Sequence, residues 1–256
     1  MADRPLDGHV AIITGGASGI GRATAIELAA KGASAAILDR DADGSRATVE
    51  AIESGGGVAS FFAVDLVRVA TIPDTIAEVL EWGSRIDILV NSAGTTGPEQ
   101  ILTMTEEAWD VMLTVNLKAP VMLMQAVARH MIDRGGGGRI VNLSSSAAFR
   151  AAPPNAPHYA ASKAALSAVT RAAAGELGPY GINVNAVAPG VTKTPMTKGI
   201  GDDEAFARAA SEGPLANLLG RPSEAGDVAA VITFLCLPES RQITAQTIHT
   251  SAGLVV

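Results

Sequence analysis

The sequence predicts an α/β fold in which a parallel sheet is covered by helices on both faces. Three observations carry that prediction. Apolar runs of strand length recur along the 256 residues, segments with helical apolar spacing lie between them, and glycines stand where those helices should stop. A strand with one wet face alternates apolar and polar residues; these runs are apolar at consecutive positions, as burial on both faces requires. Strand alternating with helix makes the sheet parallel.

The first strand is Val10–Thr14, and it runs into the turn Thr14-Gly15-Gly16-Ala17-Ser18-Gly19-Ile20-Gly21. Ala23, Ile26 and Ala30 then share a helix face, and Gly32 ends that helix. Ala35–Asp39 is the second strand; the helix after it stops at Gly55–Gly57, and Val58–Val64 is the third strand. Ile72, Ile76, Val79 and Leu80 mark a further helix before the fourth strand, Ile86–Asn91. Gly135–Gly138 closes the helix that precedes the fifth strand, Ile140–Leu143; Ile182–Ala188 and Thr247–Thr250 complete the set. The least regular stretch is Thr194–Pro214, where Gly199, Gly201 and Gly213 surround a short helix at Asp203–Ala210. A loop over a pocket has this character, and so has an ordinary surface connection. No repeat or linker-like composition shift divides the chain, so residues 1–256 read as one domain.

Composition narrows the function. Charged residues make up 18%, aromatics 4%, and there are 27 glycines, so the core must be aliphatic with closely approaching elements. One cysteine excludes a disulfide framework and a Cys-based metal cage. His9, His130, His158 and His249 show no metal-ligand spacing, so no metal is expected. A net charge of −7 argues against nucleic acid, whose phosphates need a basic surface. Mean hydropathy is high, +0.27. Yet the longest apolar run, Val228 to Leu237, is broken by Thr233 and falls short of the ~20 residues a spanning helix needs. The N-terminus shows no secretory h-region. A reduced, cytoplasmic protein without a membrane partner is the expectation.

The glycine turn between strand and helix suits a nucleotide. Glycines let the backbone approach a pyrophosphate, and the free N–H groups of the helix N-terminus attract it. The spacing is T-G-x-x-x-G-x-G, not G-x-G-x-x-G. Asp39 ends the second strand, where a carboxylate would bond the adenosine ribose hydroxyls and repel a 2′-phosphate. NAD(H) is therefore favoured; Arg40, next in the chain, could hold a phosphate and leaves NADP(H) open. At the other end, Tyr159 and Lys163 stand four apart on one helix face. A free tyrosine ionises near 10, and a nearby ammonium would lower that value toward useful proton transfer.

These residues, with Asn91-Ser92-Ala93-Gly94, Asn116, Ser144-Ser145 and Pro189-Gly190 in the same order, resemble the single-domain branch of the short-chain dehydrogenase/reductase family. The resemblance runs from about Gly8 to the C-terminus. It implies a Rossmann-type doubly wound sheet of order 3-2-1-4-5-6-7, with substrate bound beyond the carboxyl ends of the strands. It also implies a homotetramer. Tyr159 would be the general acid/base; Lys163 would bind the nicotinamide ribose and depress the tyrosine. A serine after the fifth strand would bond the substrate oxygen, and Asn116 would hold a proton-relaying water. Gly15, Ser18, Gly19, Ile20 and Gly21 would cradle the pyrophosphate. Asp65 and Leu66 would face the adenine, and Asn91, Ala93 and Gly94 would pass beneath the cofactor. Pro189, Gly190, Val191 and Thr194 would lie at the carboxamide, held by Thr194 with Val191.

Four positions depart from the family pattern. Ser92 replaces the second asparagine of N-N-A-G, and Asn183 stands where arginine is common, in a structural rather than chemical role. Thr250-Ser251-Ala252-Gly253 replaces an Asp-Gly-Gly in a region that usually joins subunits. The gap from Ser145 to Tyr159 is one residue longer than usual, so aligning the strand selects Ser145 while counting back from Tyr159 selects Ser146. Ser145 is preferred, because loops accept insertions and a slip in a buried strand reverses its faces.

The implied reaction is NAD(H)-dependent interconversion of a secondary alcohol and a ketone. The enzymatic rival is 3-oxoacyl-[acyl-carrier-protein] reduction with NADPH, which Asp39 and the acidic charge oppose. The rival of another class is a nucleotide-sensing protein without catalysis. Phe149, His158, Met196, Ile200 and Phe206 are candidates for an apolar substrate pocket, and Ala151–Pro154 for its wall. Cys236 reads as a small buried hydrophobe, and Trp82 and Trp109 as helix anchors.

Overall fold

The computed structural model describes residues 4–150 and 156–255. Seven parallel strands form one sheet: β1 (Val10–Thr14), β2 (Ser34–Asp39), β3 (Val58–Ala63), β4 (Ile88–Asn91), β5 (Gly138–Leu143), β6 (Ile182–Pro189) and β9 (Thr247–Thr250). Two two-residue strands, β7 (Thr192–Lys193) and β8 (Ser223–Glu224), pair with each other beside it. The order is β3-β2-β1-β4-β5-β6-β9, so the last strand of the sheet is the seventh expected from the sequence. The chain reverses its winding between β1 and β4, and a crevice opens beyond the carboxyl ends of strands at such a point.

The consecutive apolar runs are explained by what covers them. All five residues of β1 are buried. Ile12 turns to one core with Leu38, Leu89, Ile140 and Val184, while Ile13 turns to the other with Ile37, Val90, Val141 and Val187. The first core is roofed by α3 (Ile72–Gly83), α5 (Ala119–Arg134) and α6 (Pro157–Leu177); the second by α1 (Gly19–Ala30), α2 (Ala42–Ser54) and α8 (Ala225–Cys236). Helix starts carry the residues that orphan N–H groups need. Asp41 accepts from Gly44 N at 3.1 Å to cap α2, and Thr105 caps α4 (Glu106–Leu113) from Ala108 N at 3.1 Å. Asp202 caps α7 (Asp203–Ser211) from Ala205 N at 2.9 Å.

The structure departs from the sequence reading at several points, among them β5, which begins at Gly138 rather than Ile140. Ile86 is fully buried, but β4 begins two residues later, because the Ile86 N–H donates to His130 Nε2 at 3.2 Å instead of joining the ladder. Trp82 anchors α3, edge-on to Phe62 at 5.9 Å, whereas Trp109 on α4 is 40% exposed. Finally, α4 runs through a π-helical turn at Thr114–Lys118 into α5, giving a helix, Glu106–Arg134, long and apolar enough to cross a membrane. No single apolar run announces it, because Asn116, Lys118, Arg129 and His130 interrupt the sequence. Leu123, Val127 and Met131 on one side of this helix fill the core beside the sheet.

Candidate active site

At the carboxyl ends of β1 and β4 lies a cleft of about 370 Å³. Its floor is the glycine turn. Gly15 has φ +70°, and a Cβ there would sit 2.8 Å from Ala93 Cα; a Cβ on Gly21 would collide with the Gly15 carbonyl oxygen. Both positions therefore demand glycine. Thr14 Oγ1 accepts from Ser92 N at 3.1 Å and Ala93 N at 3.0 Å, fixing the segment after β4 against the turn. Ser18 makes no side-chain cap, and no acidic residue lies in the first turn of α1. The helix N-terminus is thus left to an anion from outside the chain.

Asp39 is held in place by two amides: Ala17 N donates to Oδ2 at 3.1 Å and Asp41 N to Oδ1 at 3.0 Å. Arg40 lies beside it, exposed, and Asp65 and Leu66 line the same end of the cleft. An uncapped helix end, a glycine cradle that a Cβ would fill and a fixed carboxylate at one end fit a dinucleotide.

At the other end, α6 brings up Tyr159 and Lys163. Tyr159 is half-buried and shares a side-chain hydrogen bond with Ser145. Ser145 opens the short turn after β5 and its Oγ also accepts from Ala147 N at 3.1 Å. Ser146 is buried and does not line the cleft, so the geometry places Ser145 beside the phenol. Lys163 is 3% exposed; its Nζ donates to Leu143 O at 2.8 Å and stands 5.9 Å from the Tyr159 ring centroid. Burial pushes the Lys163 ammonium down to about 8. Burial also pushes the Tyr159 phenol above its ordinary value, and the Ser145 bond opposes that shift. The lowering of Tyr159 by Lys163 expected from their spacing is thus not found, because the desolvated ring outweighs any pull from an ammonium whose hydrogen bond is turned to Leu143.

Other assignments shift as well. Asn116 is fully buried in the π-helical turn; its Oδ1 accepts from Thr95 N at 2.8 Å, and its Nδ2 donates to Thr95 O at 2.9 Å and Ser162 Oγ at 3.2 Å. With both N–H groups used, the side chain is a strut between the loop after β4 and α6. Asn91 is also buried, donating to Asn142 Oδ1 at 2.8 Å, while Ser92, Ala93 and Gly94 reach the cleft. Val191 does not line it; its carbonyl accepts from Ser223 N at 3.1 Å, next to the β7–β8 pair. Pro189, Gly190 and Thr194 do.

Of the apolar candidates only Met196 lines the cleft. Phe149 instead meets the His249 ring at 4.6 Å, Phe206 is buried under α7, and Ile200 ends a short turn away from the opening. His158 is 1% exposed and turns its Nε2 toward Glu99 Oε2 at 3.2 Å. The expected wall Ala151–Pro154 lies outside the described residues. Sequence reasoning missed Val111 and Val115, one helical turn apart at the cleft's apolar side, along with Thr95, Pro195 and Thr197. The i, i+4 spacing of the two valines was the available signal, but it does not say which way the face points. Asn183 donates to Arg241 O and Ile243 O, both at 3.0 Å, which bears out its structural role.

The chain is similar to known proteins over nearly its whole length. Residues 15–255 match the family model described as enoyl-(acyl carrier protein) reductase. The 3-oxoacyl-[acyl-carrier-protein] reductase FabG of Thermotoga maritima is 38% identical, over 98% of this chain and 99% of that protein. A short chain dehydrogenase from Burkholderia cenocepacia, solved in complex with NADP, superposes with TM-score 0.89 at 37% identity, covering 98% of this chain and 99% of that one. Another from Mycobacterium paratuberculosis, bound to NAD, gives 0.87 at 31%, with 98% of each chain covered. With the sheet order, the glycine cradle and the Ser145–Tyr159–Lys163 arrangement already in hand, these matches identify the chain as a member of the short-chain dehydrogenase/reductase family of NAD(P)-binding oxidoreductases.

Proposed function

We propose that the chain interconverts a secondary alcohol and the matching ketone with NAD(H). The placement of Tyr159, Ser145 and Lys163 together on the wall of the nucleotide cleft carries this reading. When bound, the nicotinamide supplies or accepts the hydride. A substrate oxygen set between the two hydroxyls is held by Ser145 and receives a proton from Tyr159 Oη in reduction, or gives one to it in oxidation. Lys163 holds the nicotinamide ribose, and Asn116 braces the wall behind Gly94, where an added Cβ would meet both Asn116 Oδ1 and Lys163 Nζ. Met196, Val111 and Val115 favour an apolar substrate. Residues 1–256 act as one domain with a substrate loop at about 194–214. Lys193 tethers that loop through Asp203 at 2.9 Å and Glu224 at 3.1 Å. We extend the proposal to a cytoplasmic homotetramer with no nucleic-acid or membrane partner.

The NAD preference rests on the Asp39 carboxylate, which two amides hold at the end of the cleft and which would repel a 2′-phosphate. Asp39→Ser should lower the NAD:NADP ratio of kcat/KM at least tenfold, roughly 1.4 kcal/mol of discrimination. Steady-state kinetics with both nucleotides measure it. The two serines can be separated in the same assay: Ser145→Ala should reduce kcat by about 10²-fold, and Ser146→Ala should leave it within about twofold.

One rival retains support. The 38% identity to a 3-oxoacyl-[acyl-carrier-protein] reductase favours an acyl thioester substrate and NADPH. Against it stand Asp39 and a net charge of −7, which slows encounter with an acidic carrier. A panel of alcohols, ketones and 3-oxoacyl thioesters, followed at the nicotinamide absorbance with NAD and NADP in parallel, decides between them. Turnover confined to thioesters with NADPH would replace our reading. A protein that only senses nucleotide would show no turnover with any of them.

A further inference from the structure

At the opposite end of the sheet from the nucleotide cleft, three arginines surround a second pocket of about 140 Å³. It lies where β4 and β5 begin, closed by Gly136, Gly137, Leu6, Cys236 and Pro238. Arg85 is matched to Asp87 by a two-pronged pair, Nη2 to Oδ1 at 2.6 Å and Nε to Oδ2 at 2.8 Å. Asp87 is buried and also accepts from Val10 N at 3.0 Å, so its charge is met within the chain and its carboxyl is held below the ordinary range. Arg134, in the last turn of α5, reaches the same carboxylate at 3.1 Å and donates to Gly137 O at 2.8 Å in the turn before β5. Arg139 has no such partner. Its Nη1 donates to Gly138 O at 3.0 Å, and among the described residues no carboxylate pairs with it. Its acidic neighbour is Cys236, whose thiol burial pushes up to about 12 and so keeps neutral. The Nε groups of Arg134 and Arg139 are both buried without a hydrogen-bond partner.

Three guanidinium groups therefore line a half-buried pocket of an acidic chain that holds one carboxylate, and only Arg85 and Arg134 reach it. A cation shielded from water without a counter-charge is unfavourable. A helix end supplies only a fraction of a charge, and Arg134 already stands in the last turn of α5. Guanidinium forks match oxyanions in shape as well as in charge. We propose that this pocket binds a small oxyanion of the phosphate type, with Arg139 and Arg134 as its principal donors. The site is separate from the nucleotide cleft: β4 and β5 run between them, and the cleft residues lie beyond the strands' far ends. Nothing in the proposed reaction uses it. Its occupant would act on the stability of the amino-terminal end of the sheet rather than on the hydride step.

The test uses the full chain saturated with NADH, so that phosphate cannot act through the nucleotide cleft. Inorganic phosphate is titrated against chloride at equal ionic strength while thermal unfolding is followed. At a millimolar Kd, 10 mM phosphate raises the folded-to-unfolded ratio about tenfold, a Tm rise of about 3–5 °C beyond that in chloride. Arg139→Gln should abolish the difference, and Arg46→Gln, altering an arginine on exposed α2, should keep it. A wild-type response equal in both salts, or one that survives Arg139→Gln, overturns the proposal. Should Arg139→Gln fail to fold, amide NMR of the wild-type holoprotein decides. Phosphate-specific shifts centred on Gly136–Arg139 support the site, and shifts absent there refute it.

Discussion

Tyr159→Phe is expected to lower turnover by about 10³-fold or more while NAD affinity stays within about twofold. Phenylalanine keeps the ring, which packs at the start of α6, and removes only the oxygen that bonds Ser145. Ser145 still holds the substrate oxygen but has no group from which to relay a proton, so loss of the hydroxyl should appear in kcat and not in nucleotide binding. The pH dependence gives a second signature. Burial raises the phenol, so the neutral acid form prevails across the neutral range. Ketone reduction, which needs the acid, should be flat there; alcohol oxidation, which needs the phenolate, should climb with pH toward the alkaline side. In Tyr159→Phe the residual oxidation should lose that climb. Pre-steady-state kinetics in both directions, with fluorescence titration of NADH binding, check each part. Unchanged turnover would falsify the assignment of Tyr159 as the acid/base.

How much of this was readable beforehand depended on whether the information was local. The glycine turn, Asp39 and the Tyr159/Lys163 pair are set by fixed spacing within one strand–turn–helix unit or along one helix. Their relative placement follows once the elements form. The strands were legible for the same reason, since burial on both faces leaves continuous apolar runs such as Val10–Thr14. Long-range partners were not legible. β7 and β8 are two residues each and exist only because Thr192 meets Ser223, about 30 residues further along the chain. Ile86 looks like strand until His130, far along the chain, takes its N–H. The apolar pocket failed most clearly, because a loop side chain's direction depends on what it meets: Phe149 found His249, Phe206 the inside of α7, and His158 Glu99. The Asn116 side chain binds Thr95 and Ser162 in a way that sequence order does not encode.

Lys163→Met should make the nucleotide-free protein more stable while removing its activity. The ammonium is buried, hydrogen-bonded to one carbonyl, and free of any carboxylate partner among the described residues, and burial lowers it from 10.5 to about 8. Because the folded chain holds this proton less tightly than the unfolded chain, the unfolded state binds more protons between about pH 8 and 10.5. Stability contributed by this group is therefore lowest below pH 8 and rises with pH across that interval. At about 1.4 kcal/mol per unit, the charged side chain costs about 3 kcal/mol at neutral pH. Methionine fills the same space without a charge, but it strands the Leu143 carbonyl, which returns about 1–2 kcal/mol of that gain. The net expectation is about 1–2 kcal/mol, or a Tm higher by about 3–6 °C at pH 7. At pH 10 the advantage should shrink or reverse, because wild type has by then shed the proton. Urea unfolding of both proteins at pH 7 and pH 10 measures the crossover, and a variant less stable than wild type at pH 7 would show that the ammonium is compensated in the fold. If the crossover is found, the chain keeps a destabilising lysine at this position, as the proposed reaction requires, and stability is lost at the atom proposed to hold the nicotinamide ribose.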